Sequence, residues 1–133
     1  MPLLPISPLA GKRIVTVEDE GITQLQLKKA LTAAGLIVVG QASNGEEGVE
    51  LILRERPDLV TMDINMPIMD GLEATRQITE QDGPCVVILT SYNDAEHRHR
   101  AEEAHACGYA LKPITSEALL SALEQGYARR KRR

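Results

Sequence analysis

Short runs of β-branched and aliphatic residues alternate along this chain with stretches whose apolar positions recur at helical spacing. The first pattern fits strands buried on both faces, and the second fits helices with one buried stripe. Residues 13–17 (RIVTV) predict a first strand. Residues 20–34 predict a helix with Ile22, Leu25 and Leu31 on one face and Gly35 as its stop. Residues 36–42 (LIVVGQA) predict a second strand. Asn44 with Glu47 is a helix-start pair; Val49, Ile52 and Leu53 follow at helical spacing, and Pro57 ends the segment. Residues 58–62 (DLVTM) predict a third strand that runs into Asp63, and Asp70 with Glu73 opens a helix reaching residue 80. Asp82-Gly83-Pro84 reads as a turn and residues 85–90 (CVVILT) as a fourth strand, with Asn93 and Glu96 starting a fourth helix. Tyr109-Ala110-Leu111 predicts a short fifth strand, and Ser116 caps a last helix whose stripe is Leu119, Leu120, Leu123 and Tyr127.

Five strand–helix units in series predict an α/β fold, a doubly wound parallel sheet in one domain. Of the two common doubly wound strand orders, five units fit the flavodoxin-like order 2-1-3-4-5 better than the six-stranded alternative. No Gly-x-Gly-x-x-Gly or Gly-x-x-x-x-Gly-Lys loop follows a strand, which argues against dinucleotide and P-loop nucleotide binding.

The length of 133 residues suits a single domain, and 43% hydrophobic with 26% charged residues is an ordinary globular balance. No apolar run approaches the roughly 18–20 residues of a membrane span. The opening MPLLPISPLAGKR has no basic residue before its apolar stretch and carries three prolines, so it is a poor signal peptide and a cytoplasmic protein is expected. The two cysteines cannot build a disulfide framework or a zinc site, and Cys85, at the head of an apolar run, is expected to be a buried thiol. Three tyrosines are the only aromatics, too few for a base-stacking nucleic-acid module. The net charge of −4 conceals an asymmetry: residues 129–133 are all basic, so residues 1–128 hold 10 basic and 19 acidic groups. The acidic body repels nucleic acid and anionic membrane, and the tail is a separate feature, expected to be a solvated helix end or linker.

In a doubly wound sheet, ligands sit beyond the carboxyl ends of the strands, near the switch in strand order. Those ends supply Glu18 and Asp19 from the first strand, Asp63 from the third, Thr90 and Ser91 from the fourth, and Lys112 from the fifth. Carboxylates about 4 Å apart repel by about 4 kcal/mol per pair at an effective dielectric near 20. Such a cluster calls for cations. Lys112 supplies one, and an all-oxygen donor set suits Mg²⁺, which keeps several waters and binds beside phosphate.

Val17-Glu18-Asp19-Glu20, Asp63-Ile64-Asn65-Met66-Pro67-Ile68-Met69-Asp70-Gly71, Leu89-Thr90-Ser91 and Gly108-Tyr109-Ala110-Leu111-Lys112-Pro113 resemble, in this order, the receiver domain of bacterial two-component response regulators. The resemblance covers residues 12–127, leaving residues 1–11 as an N-terminal extension and 128–133 as a basic tail. It implies that Asp63 accepts a phosphoryl group from a histidine kinase or a histidine phosphotransfer protein. It implies that Glu18, Asp19, Asp63 and the main-chain carbonyl of Asn65 hold Mg²⁺, that Thr90 bonds the phosphoryl oxygens and that Lys112 pairs with them. Thr90 and Tyr109 become the switch: Thr90 moves towards a phosphorylated Asp63, Tyr109 turns inward, and the face of the fourth helix, fifth strand and fifth helix changes its binding to a partner or a second copy. The domain is then a phosphoacceptor that assists its own transfer and dephosphorylation rather than an enzyme acting on others, and it contacts neither membrane nor nucleic acid itself.

Three other readings are weighed, one of them a flavodoxin-like interaction module that is not phosphorylated, against which the intact Asp63, Thr90 and Lys112 argue. A phosphatase with an aspartyl-phosphate intermediate would place a second aspartate two residues after the first, where this chain has Asn65, which cannot take a proton. A receiver within a longer DNA- or RNA-binding regulator would share every motif. His105 stands where the family often has glycine, at a cost of roughly 1 kcal/mol if its φ is positive. His97 and His99 do not share a helix face and are expected to be solvated. The fourth helix offers only Ala95, Ala101, Ala104 and Ala106 as apolar residues and is expected to be weakly held.

Overall fold

The structure is a computed structural model and describes residues 7–80 and 83–131. Strands and helices alternate: β1 (Arg13–Val17), α1 (Gly21–Ala33), β2 (Ile37–Ala42), α2 (Gly45–Glu55), β3 (Leu59–Met62), α3 (Gly71–Glu80), β4 (Cys85–Thr90), α4 (Ala95–Glu103), β5 (Gly108–Leu111) and α5 (Ser116–Lys131). The strands pair in parallel in the order β2-β1-β3-β4-β5. This is the flavodoxin-like order expected from five strand–helix units.

Every residue of β3 and β4 is buried, because both faces of the sheet's centre are covered. Along β4, Cys85, Val87 and Leu89 face α1 and α5, where Leu27, Leu31, Leu119 and Leu123 meet them. Val86 and Ile88 face the opposite layer, with Val49, Ile52, Leu72, Ile78 and Ala101 from α2, α3 and α4. Burying each large aliphatic side chain in these layers contributes roughly 1.5–3 kcal/mol. The edge strands are less covered, and Ile37 at the start of β2 is 51% exposed.

Several local expectations shift. Ile22 and Leu25 do not face inward; they are 76% and 54% exposed. The inward stripe of α1 runs Gln24, Leu27, Leu31, and its first position is an amide that satisfies its polarity by hydrogen bonding. Asn44 and Asp70 cap as expected, accepting from the Glu47 and Glu73 N–H groups at 2.9 Å each. The α4 cap is Asp94, which accepts from His97 N–H at 3.0 Å, while Asn93 accepts from the Arg98 side chain instead. Thr115, rather than Ser116, caps α5 by accepting from Ala118 N–H at 3.1 Å. Neighbouring cap-competent residues compete in both places, and chain direction at the turn selects between them. His105 does adopt a left-handed φ, +65°.

Neither chain end behaves as a free appendage where it is described. Ser7 donates to Glu124 at 2.7 Å and Leu9 is buried in the α1–α5 layer; residues 1–6 lie outside the described residues. At the other end α5 continues to Lys131. Arg129, exposed, donates to the Cys107 carbonyl at 2.7 Å and half-buried Arg130 donates to the Gly83 carbonyl, so this helix end also touches the turns before β5 and β4. Arg132 and Arg133 lie outside the described residues, as does Asp82 of the expected turn. Cys85 is buried as expected, and so is Cys107.

Candidate functional site

Strand register brings the chemistry together. Val17 pairs with Met62, so the next residue of each strand, Glu18 and Asp63, emerges at the same edge. Asp63 N–H donates to the Val17 carbonyl at 3.0 Å, which fixes the start of the loop after β3. Thr90 pairs with Leu111, and Lys112 N–H donates to the Thr90 carbonyl at 2.8 Å, which aims the lysine back across the edge. The loop after Asp63 folds tightly: Gly71 N–H donates to the Ile64 carbonyl at 2.9 Å. A Cβ on Gly71 would lie 1.8 Å from the Asp63 carbonyl oxygen, so only glycine lets α3 start this close to the aspartate. Ile68 in the same loop holds φ +73° with its side chain 76% exposed, a strained turn that no sequence signal announces.

Carboxylate oxygens of Glu18, Asp19 and Asp63 lie within 4.8 Å of one another. Glu18 and Asp63 are buried and Asp19 is exposed. The Lys112 ammonium donates to Glu18 at 2.5 Å and stands 3.6 Å from Asp63 and 3.9 Å from Glu20. Burial pushes the Glu18 carboxyl up to about 7; the Asp63 charge adds to this and the Lys112 contact opposes it. Burial also raises Asp63, against the pull of Lys112 and of the Ile64 N–H that Asp63 accepts at 2.9 Å. For Lys112, burial disfavours the ammonium, but the Glu18 hydrogen bond and the Asp63 charge outweigh it and raise its pKa. Burial is the main reason the Glu18 carboxyl is raised, with the like charge of Asp63 adding to it.

Thr90 is fully buried, and its hydroxyl accepts from Tyr92 N–H at 3.3 Å. Tyr109 stands half-buried on β5 and donates its hydroxyl to the Tyr92 carbonyl at 2.6 Å, with the Arg98 guanidinium 4.6 Å from its ring centre. His97 is not solvated as expected: its ring stacks on Tyr92 at 4.3 Å and its Nδ1 lies 2.7 Å from Asp94. His99 remains exposed, 3.5 Å from Glu103. Asn65 is exposed in the loop two residues beyond Asp63.

The structure therefore gathers Glu18, Asp19, Asp63 and Lys112 at one edge, with Thr90 at the end of the adjacent strand. Sequence reasoning missed Gln24, whose side-chain amide lies beneath the β1–α1 turn. Its spacing to Leu27 and Leu31 was the available signal. Tyr92 and Arg98, which frame Tyr109, were also missed, and nothing in their local pattern marks them.

The family model described as the response regulator receiver domain matches residues 14–124. The transcriptional regulatory protein PdtaR of Mycobacterium tuberculosis is 35% identical over 118 residues, 89% of this chain and 58% of that protein. The chain thus spans little more than half of that relative's length. Chemotaxis protein CheY of Thermotoga maritima is 35% identical over 116 residues, covering 86% of this chain and 97% of CheY. Among solved structures, the CheX–CheY–BeF₃–Mg complex from Borrelia burgdorferi matches with a TM-score of 0.81 at 26% identity, covering 85% of this chain and 87% of the matched one.

Proposed function

We propose a function from one premise: the chain belongs to the response regulator receiver domain family. It acts in phosphorylation-dependent signalling, and Asp63 is the phosphoacceptor. The observation that carries this is the convergence of Glu18, Asp19, Asp63 and Lys112 from three strand ends onto one edge. In the transfer, a carboxylate oxygen of Asp63 forms a bond to phosphorus as the bond from phosphorus to a donor's imidazole nitrogen breaks. Lys112 holds a positive charge beside Asp63 and meets the phosphoryl oxygens. Thr90, at the neighbouring strand end, donates its hydroxyl to them.

The donor set fits Mg²⁺. In an octahedron with ligand distances of about 2.1 Å, opposite oxygens stand about 4.2 Å apart. At most one pair of the three carboxylates can stand opposite and the other pairs must close to about 3.0 Å, so the set, now within 4.8 Å, would draw in by side-chain rotation as the ion binds. Glu18, Asp19, Asp63 and the Asn65 carbonyl would hold the ion, with water filling the other positions. Bound there, Mg²⁺ would neutralise the oxygen charge of the transferring group. The Borrelia relative, whose complex contains a beryllofluoride and magnesium, supports this reading.

The donor is a histidine kinase or a histidine phosphotransfer protein in the cytoplasm. It would cover Ile22 and Leu25, exposed on the first turns of α1, and the groove lined by Glu20, Thr23, Leu27, Lys112, Pro113 and Ile114. The output face is α4–β5–α5, where Arg98, Tyr109, Arg129 and Arg130 line a groove that meets a partner or a second copy. Phosphorylation draws Thr90 towards Asp63 and lets Tyr109 leave the Tyr92 carbonyl and turn inward. The length of PdtaR beyond its match supports a second reading, in which this receiver serves a longer regulator.

Acetyl phosphate tests the central claim. Mg²⁺-dependent labelling of the protein is expected, and Asp63→Asn should abolish it. Label that survives the substitution would assign the acceptor elsewhere.

A further inference from the structure

Beneath the acidic edge lies a polar network that the phosphoryl chemistry does not itself use. The Gln24 side-chain amide, from the first turn of α1, donates to the carbonyls of Ala42 at 2.7 Å, Glu18 at 3.1 Å and Thr16 at 3.3 Å. An amide has two hydrogens, so Ala42 takes one and the Thr16 and Glu18 carbonyls share the other. The Gln24 amide oxygen accepts from the Thr16 hydroxyl at 2.6 Å and from the Gln41 amide at 2.8 Å. Gln41 also donates to Thr16 Oγ1 and to the Gln24 main-chain carbonyl, both at 3.0 Å.

This pattern leaves no choice in how the amide points. Turned over, its oxygen would face three carbonyl oxygens and its nitrogen would face donors. Side chains of the same length do not replace it: glutamate would repel the three carbonyls, and methionine would take this donor from the Glu18 carbonyl and leave Ala42 with only the Glu18 N–H. Thr16 is fully buried, so its groups cannot turn to water instead. The Glu18 carbonyl is the decisive contact. It belongs to the peptide joining Glu18 to Asp19, so holding it fixes the direction in which both carboxylates leave the main chain. The Ala42 carbonyl, which also accepts from Glu18 N–H at 3.0 Å, ties that turn to β2.

We propose that Gln24 is the positioning residue of the acidic edge: by holding the Glu18–Asp19 peptide through its carbonyl, it sets the two carboxylates where a divalent cation and Asp63 need them. This rests on the reading of that edge as the phosphoacceptor site. Residues that orient ligands through a second contact typically change metal affinity by about 10–100-fold when replaced.

The test compares two substitutions in one network. Gln24→Met removes all three donations to the carbonyls. Gln41→Leu removes the donations to Thr16 and Gln24 while leaving the Gln24 contacts to Ala42, Glu18 and Thr16 in place. Each protein is titrated with Mg²⁺, with the amide NMR shifts of Asp19 and Asp63 as the readout and thermal unfolding measured alongside. Gln24→Met should raise the Mg²⁺ dissociation constant by about tenfold. Its labelling by acetyl phosphate should be slow at low Mg²⁺ and recover at saturating Mg²⁺. Gln41→Leu should lower the unfolding temperature while leaving Mg²⁺ affinity at the wild-type value. Wild-type affinity in folded Gln24→Met would overturn the proposal, as would equal weakening by both substitutions. If Gln24→Met does not fold, Gln24→Asn, which withdraws the amide by one methylene, is read in the same way. A wild-type protein that binds Mg²⁺ but takes no label would sink the phosphoacceptor reading, and the Mg²⁺ titrations would still decide on Gln24.

Discussion

The two halves of the sheet's carboxyl edge are built differently. At the ends of β1 and β3, Glu18 and Asp63 are buried, Lys112 reaches both, and the Gln24–Thr16–Gln41 network lies beneath them. At the ends of β4 and β5, α4 buries little beyond Ala101, and Tyr109 packs only partly buried against the core, with one hydroxyl bond and one cation–ring contact. The first half is preorganised for charge. The second is held by few apolar contacts, so a small change in free energy shifts its population. The proposed switch would use this division, with fixed geometry for the chemistry and two accessible geometries for the readout.

Replacing Lys112 should show the largest effect. Lys112→Met leaves Glu18 and Asp63 facing each other without their shared cation. Above pH 7, with a chelator present, it should cost about 3 kcal/mol by urea unfolding, as expected when one partner of a buried pair is removed. Well below pH 7, where the folded Glu18 carboxyl is already neutral, most of that cost should vanish. A pH-independent cost would mean that Lys112 matters for packing rather than charge.

The wild-type protein should carry a smaller signature of the same strain. The Glu18 pKa is about 7 folded against an ordinary 4.5, so the folded state holds its proton more tightly. The stabilisation this gives is complete below pH 4.5 and is lost as pH rises through about 7. Asp63, also raised, works in the same direction. Unfolding temperature should fall across that window in chelator, and Mg²⁺ should restore it on the alkaline side. A flat profile would remove the electrostatic half of the comparison.

The other half is probed by Ala101→Gly. It should destabilise α4 by about 1 kcal/mol through lost helix propensity. Faster amide exchange is expected in α4, with Mg²⁺ affinity unchanged; a matching loss of affinity would show that the two halves are not separable. Tyr109→Phe should be gentlest, at about 0.5–1 kcal/mol for a partly exposed hydrogen bond. Its test is the NMR response to beryllofluoride. Asp63 should shift as in the wild type, while the shifts of Tyr92 and the N-terminal turn of α4 should move partway towards the activated positions before the mimic is added. No change before addition would leave the Tyr109 hydroxyl outside the switch.

Much of this was legible beforehand because it is local or periodic. Apolar runs located the strands, and Asn44 and Asp70 announced their helices. The acids and Lys112 could be assigned to one edge because parallel strands all end on the same side. Less legible were features that depend on which surface meets which. Ile22 and Leu25 read as core by type, yet face outward because Gln24 occupies the inward position of that turn. Asp94 and Asn93 are equally good caps on paper, and only the path of the chain out of β4 separates them. Residues 129–130 read as a solvated helix end or linker and do lie in the last turns of α5, but their contacts with the carbonyls of Cys107 and Gly83, contributed by distant turns, carried no sequence signal.

By itself, then, the sequence determined the order of elements, the strand order they favour and the set of groups at the functional edge, since each follows from residue type, period and chain direction. Tertiary structure alone decided how those groups meet: the 2.5 Å contact of Lys112 with Glu18, the upward shift of a buried glutamate and the amide of Gln24 under the Glu18 carbonyl. Contact distances, burial and the partners of a polar side chain belong to pairs of surfaces brought together by folding, and no single stretch of chain contains both members of the pair.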